Sequence, residues 1–251
     1  MSGHSKWATT KHKKGLLDAK RSKIFTKIQK EIAVAVKMGD PNPDFNPRLR
    51  NAVIAAKAEN MPKDKIESAI KRAASSNDGA NYEEVRYEGY ASGGVAVIVE
   101  TLTDNRNRTA SNIRSYFTKA GGALAETGSV SFMFDRVGII GYEGSKATED
   151  DMLEMALDAG AENVESTSEW HEITTDMQSF TKVRDALMQK LGDPDEAKLT
   201  WKPQNTVAID DVEKADKILK FIDRLEDDDD VQNVVANYDI PDEIMEKLDQ
   251  E

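Results

Sequence analysis

At 251 residues, with 32% charged and 39% hydrophobic side chains, the chain is long enough for two or three cored domains, and its recurring apolar periodicity excludes disorder along most of its length. It contains no cysteine, which excludes disulfides, thiolate zinc sites, iron–sulfur clusters and cysteine nucleophiles. The net charge of −12 is divided sharply: residues 1–75 carry +10 and the remainder −22, so the first part is suited to a polyanion that the rest repels.

Residues 1–15 have no apolar period and read as an extended basic arm, with Trp7 among Lys6, Lys11, Lys13 and Lys14. No apolar h-region follows the basic start, so we expect no secretory signal. No run reaches the roughly 20 apolar residues of a membrane span, and the expected location is the cytoplasm. Residues 16–38 predict a helix stopped at Gly39. At 100° per residue, Ile24, Phe25, Ile28, Ile32, Ala35 and Val36 share one arc, and Lys20, Lys23, Lys27, Lys30 and Lys37 share the opposite one, with Arg21 on the apolar side. "DPNPDFNP" is a loop in which Asn46 and Pro47 suit the N-cap and N1 of a second helix, about 47–59. A third helix begins near Pro62 with a stripe of Ile66, Ala69, Ile70 and Ala73, which completes a small bundle. "SSNDGANYEE" reads as the linker that follows it.

Beyond the linker the pattern is mixed. "GYASGG" reads as a turn, "GVAVIVETLT" (94–103) as a buried strand, and "NRNRTASNIRSYFTKAGG" as a turn and helix with Ile113, Phe117 and Ala120 inward. "SVSFMF" and "VGIIGYE" read as two strands. A helix over 148–159, strands near 162–166 and 171–175, and a helix over 179–191 follow. "NTVAID" reads as a strand, "VEKADKILKFIDRLED" as a helix and "VQNVVANYD" as a last strand. Short strands alternating with single helices predict an α+β chain: an N-terminal three-helix domain followed by two ferredoxin-like α/β domains.

The chemistry-bearing residues do not assemble into a catalytic pattern. P-loop, dinucleotide-binding and nucleophile-elbow spacings are all missing, and "EDDDD" (226–230) lacks the alternation and glycine of a calcium loop, so it reads as a solvated helix end. His171 reads as a surface histidine on a strand edge. We therefore expect no enzyme activity, no cofactor, no metal and no small-molecule substrate. The candidate function lies in the cations. Lys6, Trp7, Lys11, His12, Lys13, Lys14, Lys20, Arg21, Lys23, Lys27, Lys30, Arg48 and Arg50 form one candidate nucleic-acid surface, in which lysine and arginine neutralise phosphates, Trp7 stacks on an exposed base and His12 adds a hydrogen bond. In "TDNRNRT", Arg106 and Arg108 beside a helix N-terminus form a second candidate phosphate contact, and a helix cap with two exposed arginines is the alternative. Helix-turn-helix base-reading signals and RNP motifs are both missing, so the residues favour backbone recognition of DNA or RNA without choosing between them.

The segments "GHSKWATTKHKKGLLDAKRSKIFTKIQKEI", "NPRLRNAVIAAKAENMPKD", "YEGYASGGVAVIVETLTDNRNRT", "GSVSFMFDRVGII" and "LEDDDDVQNVVANYDI" resemble the YebC/PmpR family, which includes the mitochondrial translational activator of cytochrome c oxidase. The departures are slight: Ser2 stands where that family commonly has Ala. The resemblance implies a basic arm and helical domain over 1–77, a second domain over 80–130 plus 206–240, a third inserted over 131–205, and an acidic tail over 241–251. It also implies a DNA-binding transcriptional regulator, or alternatively a ribosome-associated translation factor that contacts rRNA and relieves stalled synthesis, for instance at consecutive prolines.

Overall fold

The computed structural model describes residues 17–75 and 81–248, with side chains in the first helix described from Ser22 onward. Helix α1 (Leu17–Met38) turns through the proline-rich loop into α2 (Pro47–Ala58), and α3 (Lys63–Ser75) follows. Asn46 makes this corner. Its side-chain oxygen accepts from the Leu49 amide, and its Nδ2 donates to Ala35 O and Asp40 O at 2.8 and 2.9 Å. One buried residue thus caps the start of α2 and satisfies carbonyls at the end of α1. In α1 the arc of Ile28, Ile32, Ala35 and Val36 is buried, as the period requires; in α3 only Ile66 and Ala69 are, while Ile70 and Ala73 are half-buried.

Two four-stranded sheets follow. The first, ordered β3-β1-β2-β9, comprises β1 (Glu83–Tyr90), β2 (Ala96–Thr103), β3 (Ala123–Ala125) and β9 (Val231–Ala236). β1 lies antiparallel between β2 and β3, so β2, helix α4 (Arg106–Lys119) and β3 form a split βαβ unit. The second sheet, ordered β5-β6-β4-β7, is inserted between β3 and β9 in sequence. It runs β4 (Phe134–Glu143), helix α5 (Glu149–Ala159), β5 (Asn163–Ser166), β6 (Trp170–Asp176), helix α6 (Phe180–Leu191) and β7 (Glu196–Pro203), which is the ferredoxin-like succession. The chain returns through the two-residue strand β8 (Val207–Ala208), which pairs in parallel with β10 (Tyr238–Asp239). Between these lies helix α7 (Val212–Glu226), and helix α8 (Asp242–Leu248) comes last. The α+β class, with helices first and a sheet domain inserted in another, is the predicted one. Among the described residues no helix is long and apolar enough to cross a membrane.

Contacts divide the chain into two compact units: Met1–Lys27 with Ala80–Asp135 and Pro203–Glu251, and Ile28–Gly79 with Arg136–Lys202. In the first, Val97 and Val99 of β2 meet Ile113 and Phe117 of α4 and Ile218, Phe221 and Leu225 of α7. The Phe117 and Phe221 rings pack edge to face at 4.9 Å. In the second, Ile140 and Tyr142 of β4 and Ile173 of β6 meet Met152 of α5 and Phe180 and Leu187 of α6, and Ile54 of α2 joins that core. Gly138 is required there, because a Cβ would stand 2.3 Å from the Phe180 ring.

The structure corrects several readings. "SVSFMF" is not a strand: Ser131–Met133 is a 3-10 turn, and β4 starts at Phe134 and runs through "VGIIGYE" as one strand. The turn forms because buried Glu88 accepts from the amides of Val130 and Ser131, both at 2.9 Å, which draws the chain off the sheet. β1 begins at Glu83, inside the segment read as linker, and its polar residues pair with the apolar β2 from Glu83↔Thr103 to Tyr90↔Ala96. The strand in "NTVAID" is only Val207–Ala208. His171 is buried rather than on a surface edge. β6 is an inner strand of its sheet, and the His171 ring holds Ser166 Oγ at Nδ1 (2.7 Å) and faces the carbonyls of Gly144 and Ala147 at Nε2. Nε2 therefore carries the proton and Nδ1 accepts from the serine.

Two predictions follow from buried charge. Burial pushes the Glu88 carboxyl up, but amide hydrogen bonds from Val130, Gly128 and Ser131, with Arg86 alongside, bring it below its ordinary value overall. Its stabilisation is present above the unfolded carboxylate range and is lost as pH falls through the lowered folded value. Glu88→Gln is expected to cost about 1–2 kcal/mol near neutral pH, with the gap to the parent closing on acidification, as urea unfolding across pH measures. In the second unit, the fully buried Arg184 donates to Asp185 Oδ1 through Nε and Nη2 and to Asn51 Oδ1 through Nη1, and Arg50 Nη1 meets Asp185 Oδ2 at 2.8 Å. Asp185→Ala leaves a buried guanidinium uncompensated and should cost about 2–4 kcal/mol in the same measurement.

Candidate nucleic-acid interface

The candidate surface starts from helix spacing. Lys23 and Lys27 are four residues apart on α1 and so project side by side. Their ammonium groups both contact the chain. Lys23 Nζ donates to Asp227 O at 3.1 Å and lies 3.6 Å from the Asp227 carboxylate, and Lys27 Nζ donates to Glu226 O. Both therefore meet the C-terminal end of α7, where the helix dipole concentrates negative potential. Burial pushes the Lys27 ammonium below its ordinary value, and Glu226, Asp228, Asp229 and Asp227 act in the opposite sense without fully offsetting it.

The run 226–230 is held in place from beneath. Asp230 is buried, and its Oδ2 accepts from Arg108 Nη2 at 2.7 Å, Thr109 Oγ1 at 2.8 Å and Thr103 Oγ1 at 3.2 Å. Its carbonyl accepts from the Leu102 amide, and its own amide donates to Asp228 Oδ1. Asp228 Oδ2 accepts from Tyr116 OH at 2.9 Å and Asn112 Nδ2 at 3.2 Å. Asp228 and Asp230 thus face the sheet and α4, while Asp227 faces α1. The run read as a solvated helix end is a built loop with two of its carboxylates engaged inward.

The arginines of the sequence reading are placed as follows. Asn105 caps α4 by accepting from the Arg108 amide at 3.0 Å, as the spacing in "TDNRNRT" implies. Arg108 bridges Asp104 at 2.8 Å and Asp230, and these two partners hold its guanidinium firmly charged. Arg106 is exposed at the first turn. Arg48 clasps Glu31 of α1 through Nε at 2.6 Å and Nη2 at 3.1 Å. Arg50 donates to Pro43 O and Asp44 O besides Asp185. Lys30 is half-buried. Lys6, Trp7, Lys11, His12, Lys13 and Lys14 lie outside the described residues, as do the side chains of Lys20 and Arg21. The structure therefore brings together Lys23 and Lys27 on one side and Arg108 with the acidic loop on the other, and directs Arg48 and Arg50 to carboxylates of the second unit.

The residues that sequence reasoning missed here are Thr103, Thr109, Asn112 and Tyr116, which anchor the loop. Their signal in the sequence is weak: Thr103 and Thr109 flank the capping motif, but their partner is more than 120 residues away. Asp230→Ala removes the acceptor shared by two buried hydroxyls and Arg108. It is expected to cost about 2–4 kcal/mol in urea unfolding and to speed amide exchange in the first turn of α4.

Residues 5–76 match a model described as the TACO1/YebC protein N-terminal domain, and residues 82–238 match one described as the TACO1/YebC second and third domain. A solved structure, that of a conserved hypothetical protein from Aquifex aeolicus, is 48% identical, with a TM-score of 0.81 over 89% of this chain and 92% of that one.

Proposed function

Because this chain belongs to the TACO1/YebC family, we propose that it is a non-enzymatic, nucleic-acid-binding regulator of gene expression. The observation that carries this reading is the charge division: a +10 segment over residues 1–75, with α1 lysines aligned on one face, in a chain that is otherwise strongly acidic. Lysines so placed gain affinity by releasing counterions from phosphates, without reading base sequence. The acidic remainder repels the same polyanion and limits docking to the basic end.

The first reading is a DNA-binding transcriptional regulator acting in the cytoplasm. A second reading, a translation factor seated on rRNA, is favoured by one observation. At the start of α4, Asn105 is engaged in capping and Arg108 with Asp104 and Asp230, so these polar side chains are committed to the fold. A protein that grips backbone without base-edge readers suits structured RNA as well as duplex DNA. Ultraviolet cross-linking in cells, with both DNA and RNA recovered and sequenced, separates the two. Enrichment at a few promoters supports the first reading, and enrichment on rRNA the second. Background recovery of both overturns the proposal.

The surface itself is tested in vitro. Changing Lys13, Lys14, Lys23 and Lys27 together to Ala is expected to leave folding intact and to flatten the dependence of log K on log salt by about 2–4, as fluorescence anisotropy across a salt series reads out. An unchanged slope would remove these residues from the interface.

A further inference from the structure

We propose that the acidic loop 226–230 is a built-in competitor for nucleic acid, which occupies Lys23 and Lys27 until a phosphate backbone displaces it. The inference rests on the nucleic-acid reading above and adds an autoinhibitory contact to it. The two lysines that the helix period places at the centre of the candidate surface are those that donate to Asp227 O and Glu226 O. The loop offers them what a phosphate diester offers: oxygen acceptors, here at the negative end of a helix, with carboxylate charge beside them.

Three features distinguish this contact from an incidental surface ion pair. The first is preorganisation. Asp228 and Asp230 are fastened to Asn112, Tyr116, Thr103, Thr109 and Arg108, so the loop presents its outward oxygens from a fixed base. The second is charge of the sign a phosphate carries. Asp227 lies beside Lys23, and Glu226, Asp228, Asp229 and Asp227 all act on Lys27. The third is geometry. Lys27 Nζ donates to the Glu226 carbonyl and Lys23 Nζ to the Asp227 carbonyl, so each ammonium already commits to the loop a donor for which a phosphate must compete. Nucleic acid engaging α1 must therefore exchange one set of oxygens for another, and the loop raises the affinity threshold for weak polyanions. The competition is electrostatic on both sides, so it favours ligands that present several phosphates at once.

The experiment is a binding cycle on the full chain, with a fluorescein-labelled DNA duplex and a labelled RNA stem-loop as probes. The loop variant combines Glu226→Gln, Asp227→Asn and Asp229→Asn and leaves the anchoring Asp228 and Asp230 in place. A control with the same charge change combines Asp210→Asn, Glu213→Gln and Glu246→Gln, exposed positions elsewhere in the first unit. Both triple variants are also made with Lys23→Ala and Lys27→Ala. The loop variant is expected to bind about tenfold tighter than the parent at 0.1 M salt, with a salt slope steeper by about 1–2. The control should gain much less, and in the Lys23→Ala/Lys27→Ala background the loop variant should lose its advantage over the control.

Equal gains for loop and control variants, in either background, would reduce the effect to general repulsion and overturn the competitor. Binding by every variant at the parent's affinity would also overturn it, while leaving the nucleic-acid reading intact. Failure of every variant, parent included, to bind either probe at low salt would overturn that reading and the competitor with it. Should the loop variant not fold, the single change Asp227→Asn, beside Lys23, carries the same comparison against Glu213→Gln.

Discussion

One carboxylate oxygen, Asp230 Oδ2, receives Arg108, Thr109 and Thr103, and the arrangement of the first unit around the acidic loop depends on it. The oxygen sits where the end of β2, the start of α4 and the start of β9 converge, three points that are remote in sequence. A buried carboxylate is tolerated only when its lone pairs are occupied, and here they are, by two hydroxyls and a guanidinium. Because the Asp230 carbonyl also accepts from Leu102 and its amide donates to Asp228, the backbone is fixed as firmly as the side chain. The direction in which Asp227 faces follows from that fixation.

The cations of this chain fall into two physical classes. Arg48, Arg50, Arg108 and the buried Arg184 make forked or multiple hydrogen bonds to carboxylates and carbonyls, a geometry that suits the planar guanidinium and makes these residues parts of the fold. Lys23 and Lys27 reach the acidic loop through flexible stems, and such contacts are exchanged for other oxygens more readily than forked ones. A count of basic residues adds the two classes together. Their geometry separates those that stabilise the chain from those that can meet a ligand.

The second unit shows the same economy of polar groups in a different setting. Arg184 lies within the apolar layer of α6, its guanidinium 5.8 Å from the Phe180 ring, and is neutralised by the neighbouring Asp185, which also holds Arg50. His171 is likewise buried with both ring nitrogens partnered. Neither is a reactive group exposed to a cleft. Both satisfy polar atoms that the sheet and its helices enclose.

Much of this fold was legible in the sequence because its signals are local. The opposed arcs of α1, the Asn46–Pro47 start of α2, the continuous apolar run of β2 and the Asn105 cap of α4 each depend on residues within a turn or two of one another. The strand β1 was hidden because its polar sequence is stabilised by pairing with β2, and "SVSFMF" alternates like a strand but is bent into a turn by Glu88. The burial of His171 follows from the position of β6 inside its sheet, which no local pattern encodes. For the candidate site, the sequence by itself determined that α1 has a lysine face and that residues 226–230 are acidic, since charge and helical period are properties of the chain alone. Only the tertiary structure decided that the two meet, because contact across some 200 residues is set by how helices and sheet pack and not by any spacing along the chain.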